Sequence, residues 1–231
     1  MAGIRKKLSS QGITPAQFGF QFVVVLLGVY LAIFFENKAE DQSREADART
    51  LLANVLSELE LDEGEILGRR QDQLEAATAA ESMMDLLAKA SPADDAVMDS
   101  IMNEPWVFNP TVFPRRSAYS ALVASGNMGY LSDTDLTLRL ANLYEHHYVR
   151  LVRHGDWTDK ISYDHFWPVV HAQYWDKATG RLMQRGEEAN RGFWNLLHQK
   201  RRVANYYASR LDEILVELRA LKESIKGYLG P

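Results

Sequence analysis

The chain has no cysteine. That excludes disulfides, thiol nucleophiles, cysteine-bound zinc and covalent haem attachment through C-x-x-C-H. Proline is thinly spread: of 7 in the chain, none lies between Pro15 and Pro92. The phosphate-cradling patterns G-x-x-x-x-G-K-[ST] and G-x-G-x-x-G are missing. So is the nucleophile elbow G-x-S-x-G, because Ala124-Ser125-Gly126-Asn127 lacks its first glycine. The net charge of -5 leaves no basic field of the kind that binds nucleic acid. There is no internal repeat and no low-complexity tract.

What is present begins with FGFQFVVVLLGVYLAIFF, Phe18 to Phe35, in which Gln21 is the strongly polar residue. A soluble amphipathic helix would place polar residues every third or fourth position. As a helix, Ala16 to Phe35 spans about 30 Å, the thickness of a bilayer core. Three readings compete. A cleaved signal peptide needs a small-x-small site, but Ala32-Ile33-Phe34 has the wrong third residue and Glu36-Asn37-Lys38 makes a poor c-region. A buried core helix is at odds with the length and uniformity of the run. The reading adopted is an uncleaved signal anchor, with Phe18, Val25, Gly28, Ala32 and Phe35 among its span residues and the bilayer as its first partner. Gly28 and Ala32 form a small-x-x-x-small pair that lets another helix approach closely.

Flanking charge sets the expected orientation. Arg5, Lys6 and Lys7 precede the span, whereas Glu36, Glu40, Asp41, Glu45 and Asp47 outweigh the cations that follow it. The positive-inside rule then places a short N-terminus, residues 1–15, in the cytoplasm, the anchor at 16–36 in a bacterial inner membrane, and residues 37–231 in the periplasm. An inverted, cytoplasmic bundle is the alternative topology.

The sequence beyond the span reads as all-α. ENKAEDQSREADARTLLANVLSELELDEGEIL contains no proline, so the membrane helix is expected to continue without a break into solvent. Leu52, Val55, Leu56, Leu59, Ile66, Leu74, Ala77, Met84 and Leu87 draw an apolar stripe along it. Glu58, Glu60, Asp62, Glu63 and Glu65 read as its solvated side. Ser91-Pro92 is the expected stop, with a short helix over 93–103. Ser117 to Ser125 reads as another short helix capped by Gly126, and Ser132 to Asp135 as the start of a longer one bearing Leu136, Leu140, Leu143, Tyr144, His147, Leu151 and His154. Pro168 interrupts or starts a helix, and Lys177 to Gly180 form a turn. Phe193, Leu197, Ala204, Tyr207, Leu211, Ile214, Leu218, Leu221 and Ile225 make a heptad-like seam with one polar slip at Lys200. Its expected partner is the Leu52–Leu87 stripe, packed antiparallel. The fold class is therefore an N-terminal transmembrane helix continuing into a membrane-tethered, extramembrane helical bundle.

Two blocks in order carry a resemblance: the anchor with its continuation to about Ile66, and SAYSALVASGNMGYLSDTDLTLRLANLYE. The second contains Ser117, Tyr119, Leu122, Ser125, Gly126 and Leu131 in a Ser/Thr-x-Tyr…Leu…Ser-Gly…Leu arrangement. Together they resemble a family of bacterial single-pass membrane proteins with an N-terminal anchor and a helical domain of unknown function. The likeness spans most of residues 16–145 and, weakly, the last helix. Members often carry Asn-Trp after the span, where this chain has Glu36-Asn37. The resemblance implies a domain type and brings no catalytic residue.

The chain offers little in the way of catalytic chemistry. His146 and His147 are adjacent and point about 100° apart on a helix, and His147 and His154 share a face two turns apart. No metal, cofactor, catalytic residue or small-molecule substrate is expected. The residues read as partner contacts are Trp106, Phe108, Phe113, Trp157, Trp167 and Trp175, of the aromatic kind enriched at interface hot spots, with Arg115 and Arg116. For the two arginines the ordinary alternative is pairing with the acidic helix. The favoured function is a noncatalytic anchored subunit that braces, assembles or stabilises a larger membrane complex, for example a respiratory or photosynthetic assembly, with other membrane subunits as partners. A ligand-sensing module working with a separate signalling partner comes second, and a metal-dependent enzyme last.

Overall fold

The computed structural model describes residues 15–89, 94–104, 110–183 and 187–230, with side chains from residue 20 onward. The expected basic N-terminus, the stop at Ser91-Pro92, the contacts Trp106 and Phe108, and the side chain of Phe18 lie outside the described residues. The chain divides into two compact units, Met1–Asp47 and Ala48–Pro231. The division falls inside a single helix, α1 (Pro15–Lys89), of 75 residues.

In the first unit every side chain from Phe20 to Phe35 is exposed. The run is long and apolar enough to cross a membrane. Gly28 and Ala32 are both uncovered. After it the helix turns polar, and Arg44 pairs with Glu40 one turn earlier at 2.9 Å.

The second unit is built on three long helical runs. The first is α1 from Ala48 onward. The second comprises α4 (Thr134–Ala141), α5 (Tyr148–Lys160) and α6 (Trp167–Gln173), joined end to end through π-helical turns at Asn142–His147 and Ile161–Phe166. The third is α7 (Glu187–Leu229). Between the first and second runs come α2 (Asp95–Met102), an irregular return segment described over residues 110–116, α3 (Ser117–Ala124) and a 3₁₀ turn at Asn127–Tyr130. Between the second and third lies a two-residue-per-strand hairpin, β1 (Trp175–Asp176) with β2 (Arg181–Leu182), closed through the expected turn and Gly180 at φ +66°.

Helix starts and stops follow local chemistry. Asp133 caps α4 by accepting from the Leu136 N–H at 3.0 Å. Gly126 follows α3 at φ +73°, a left-handed conformation that strains any residue with a Cβ. The π turns have a reason in the pattern of buried positions. Thr158, Ser162, Phe166, Val170 and Tyr174 are all buried and recur every four residues. In a regular helix each step of four over-rotates by about 40°, and a wider π turn takes up that drift. The second π turn also ends two residues before Pro168, whose ring clashes with the carbonyl four residues back in a regular helix.

Helix α7 runs antiparallel to α1, as expected. Ionic contacts mark the register: Glu63 with Arg219 at 2.6 Å and Lys222 at 2.7 Å, Arg70 with Asp212 at 2.5 Å, and Glu81 with Arg201 at 2.9 Å. Arg49 donates to the terminal carbonyl of Leu229 at 2.9 Å and so caps α7. The expected stripe on α1 is buried at Leu52, Val55, Leu59, Ile66, Ala77, Met84 and Leu87, and every apolar seam position of α7 is buried.

Among the described residues, two apolar clusters form the core. One gathers Leu52, Leu59, Leu122, Tyr144, Leu211 and Leu218 among others; the second gathers Met83, Met98, Phe166, Trp167, Trp175 and Phe193 among others. Gln73, Thr158 and Ser162, all buried, lie in sequence between the two on their helices. Lys200, the polar slip of the seam, is buried as well and donates to the Ser162 hydroxyl at 3.2 Å.

The return segment is tied to all three runs. Gln73 donates to the Pro110 carbonyl at 3.3 Å, the Thr111 hydroxyl to Asp159 at 3.2 Å, and the Val112 N–H to the Tyr207 hydroxyl at 3.0 Å. Gly155 makes room for it: a Cβ there would stand 3.1 Å from the Thr111 Cβ and 3.5 Å from the Tyr207 hydroxyl. Gly155→Val is therefore expected to overpack this crossing and lower stability by about 2 kcal/mol, read as a lower urea midpoint at unchanged slope.

Candidate functional site

Among the described residues, two clusters of polar and aromatic side chains are of interest, one at the edge of the first apolar cluster and one on the surface. The first locks α3 and the return segment onto α1. Asp62, 0 % exposed, accepts from the Arg115 N–H at 3.2 Å, the Arg115 guanidinium at 2.8 Å and the Tyr148 hydroxyl at 2.9 Å. This corrects the reading of residues 58–65 as a solvated face: Asp62 is turned inward because the return segment brings Arg115 over it. Burial raises the Asp62 carboxyl pKa, and the bonds from Arg115 and Tyr148 work against that rise. The Tyr148 phenol is pushed strongly up, by burial first and by the Asp62 charge second. One turn before Asp62, Glu58 accepts from the Ser117 hydroxyl and, at 3.1 Å, from the Ala118 N–H, so it satisfies the open start of α3. Tyr119 stacks on Tyr144 with centroids 4.2 Å apart and planes within 1°. The Tyr144 hydroxyl is buried with no hydrogen-bond partner among the described residues.

Ser117, Tyr119 and Leu122 of the block that carried the resemblance all fall in or beside this lock, and Gly126 ends its helix. Their role in the fold is to fasten α3. Arg115 is taken up by Asp62 and by Glu65 at 3.2 Å, the intrachain pairing with the acidic helix. Arg116 pairs instead with Glu145 at 3.0 Å.

The second cluster lies on the face shared by α5 and α7. Trp157 and Tyr206 meet edge to face with centroids 5.7 Å apart at 78°. The Tyr206 hydroxyl lies 3.3 Å from His154 Nδ1, and the Arg210 guanidinium sits 5.2 Å from the centre of its ring. These rings border a groove of about 340 Å³ whose lining also includes Ile161, His198, Arg202 and Val203. A small hollow of about 50 Å³, lined in part by His147, Arg150, His154 and Arg210, lies on the same pair of helices. Burial, then the neighbouring Arg150, lowers the His154 pKa; burial lowers that of His147, against the pull of Glu217. Among the described residues no three His, Asp or Glu side chains gather in a metal-holding group.

The structure sorts the aromatic candidates. Trp157 is 47 % exposed and Phe113 64 % exposed, both open to a partner. Trp167 and Trp175 are 7 % and 4 % exposed: they belong to the second apolar cluster, and their rings are covered by this chain's own helices. The groove itself had no signal in the sequence. Trp157 was visible as an aromatic, but His198, Arg202 and Tyr206 join it from 41, 45 and 49 residues away, and only the register of α7 on α5 brings them together.

No curated protein and no solved structure matches the chain. A family model does, over residues 21–173, from within the apolar run of α1 to the last residue of α6. That match covers most of the chain, including the whole Asp62 lock and the α5 side of the groove, and it stops before α7. The chain therefore belongs to the family of unknown function DUF6090.

Proposed function

We propose that this chain is a noncatalytic, single-pass bacterial membrane protein, an anchored subunit that braces or assembles a larger membrane complex through its helical domain. The observation that carries the reading is the continuity of α1. One helix holds an apolar run that is exposed over Phe20–Phe35 and, without a break, the first core residues of the bundle, Ala48 and Leu52. A run of that length and composition gains by entering lipid. A domain built on its continuation is held at the membrane. Phe113 and Trp157, exposed on the bundle, are the proposed contacts for other subunits. The short basic N-terminus is then cytoplasmic and the bundle periplasmic in the inner membrane. The test is to extract membranes in mild detergent, purify through a C-terminal tag and weigh the intact particle. A large stoichiometric assembly is the expected result. A lone chain of 26.3 kDa, or its simple dimer, overturns the subunit reading. A reporter fused after Pro231 that is active only in the periplasm tests the orientation.

The groove favours a second reading, a ligand-sensing domain that works with a separate signalling partner. Its volume of about 340 Å³ lies within the range of small-molecule sites, and its walls combine aromatic rings with a few polar groups.

A further inference from the structure

The chemistry of the groove narrows what it can hold. An apolar cavity of ~150 Å³ accommodates one benzene. About 340 Å³ gives room for roughly two fused rings. One wall is the Trp157–Tyr206 pair, and Tyr206 is fixed from behind by His154 and by the Arg210 guanidinium. Ile161 and Val203 extend the apolar lining. Among the lining residues the charged side chain is Arg202. It is exposed and forms no ion pair among the described residues, whereas Arg201 beside it is paired with Glu81 and Arg210 with Glu213. His198 stacks on Trp194, and its buried Nδ1 has no hydrogen-bond partner among the described residues.

We propose that this groove binds a flat organic monoanion of about two fused rings, its ring body against Trp157 and Tyr206 and its carboxylate met by Arg202. Aromatic and aliphatic surfaces beside uncharged Asn195 and Gln199 and a single unpaired guanidinium favour one negative charge on an aromatic body: a neutral ring leaves the exposed cation to water and gains no ion pair, and a dianion adds a charge for which the lining has no second cation. The proposal rests on the ligand-binding reading above, and not on the subunit reading.

The test uses the full chain in lipid nanodiscs, with empty nanodiscs as the blank. Equilibrium dialysis measures binding of 2-naphthoate and of its neutral counterpart, 2-naphthamide. The expected result is at least tenfold tighter binding of the naphthoate. Arg202→Gln is expected to abolish that preference, and Trp157→Ala to weaken both probes at least fivefold. Both side chains are exposed, and the helical circular dichroism of each variant checks that the bundle is intact. Equal binding of the two probes by the wild-type chain overturns the anion assignment while leaving a ligand groove. Saturable binding that neither substitution changes overturns the placement in this groove. Absence of saturable binding of either probe overturns the ligand-binding reading as well.

Discussion

Asp62→Ala is expected to lower the stability of the bundle by about 3 kcal/mol. The loss has identifiable parts. The Tyr148 hydroxyl loses its acceptor at a position closed to water, where an unmet donor costs roughly 1–3 kcal/mol, and the half-buried Arg115 N–H loses an acceptor as well. The Arg115 guanidinium loses its partner too, but its side chain is 40 % exposed and still reaches Glu65, so it contributes less. Asp62→Asn keeps the volume and one acceptor oxygen and is expected to cost about half as much. Urea unfolding of the full chain in nanodiscs, followed by the fluorescence of the buried Trp167 and Trp175, measures both. An Asp62→Ala loss under about 0.5 kcal/mol, the level of ordinary surface substitutions, contradicts the lock. The same variant is expected to loosen α3 first, because its start hangs on the adjacent Glu58 and the return segment. Hydrogen exchange over residues 117–124 should then quicken before that over α7.

Lys200→Met is expected to act in the opposite direction and stabilise the bundle by about 2 kcal/mol near neutral pH. Lys200 is 2 % exposed, and burial lowers its pKa from 10.5 to about 8, with the Asp159 charge opposing that fall. Below pH 8 the amine is protonated in both the folded and unfolded chains, and the folded one carries the whole penalty of a desolvated charge. As pH rises from 8 towards 10.5 the folded chain releases the proton while the unfolded chain keeps it, so this contribution to stability improves with pH, by about 3 kcal/mol in all. The Met variant lacks this term. The difference in stability between variant and wild type should therefore be largest below pH 8 and shrink towards pH 10.5. Urea titrations at a series of pH values read it, and a difference that does not change with pH would exclude the buried amine as its source. The hydrogen bond to Ser162 is lost in the exchange, but a helical serine can turn its hydroxyl to a carbonyl of its own helix.

These two residues mark the limit of pattern reading. In the sequence Asp62 is one acid of five in eight residues, and Lys200 is a fault in an otherwise regular seam. Each was legible as a position on a helix, and neither as a buried group. Helical periodicity reports which face a residue occupies, because backbone geometry repeats every 3.6 residues. It does not report what will lie against that face. Asp62 is buried because Arg115, more than 50 residues later, is carried over it by the return segment.

The sequence by itself determined the helices, the local caps before α4 and after α3, and the antiparallel pairing of α1 with α7. Those depend on local hydrogen bonds, on side chains within a turn of each other and on the matching of two apolar stripes. It also determined an apolar stretch suited to a membrane, which depends on composition alone. The tertiary structure decided the rest. It assigned Trp167 and Trp175 to the core and left Trp157 open, although all three read alike as aromatics of one segment. It placed two π turns where buried positions drift off the helical period. It assembled the groove from α5 and α7, whose residues meet only after a hairpin turns the chain back. In each case the deciding quantity is which surfaces lose water against which others, and that is a property of the packed bundle as a whole.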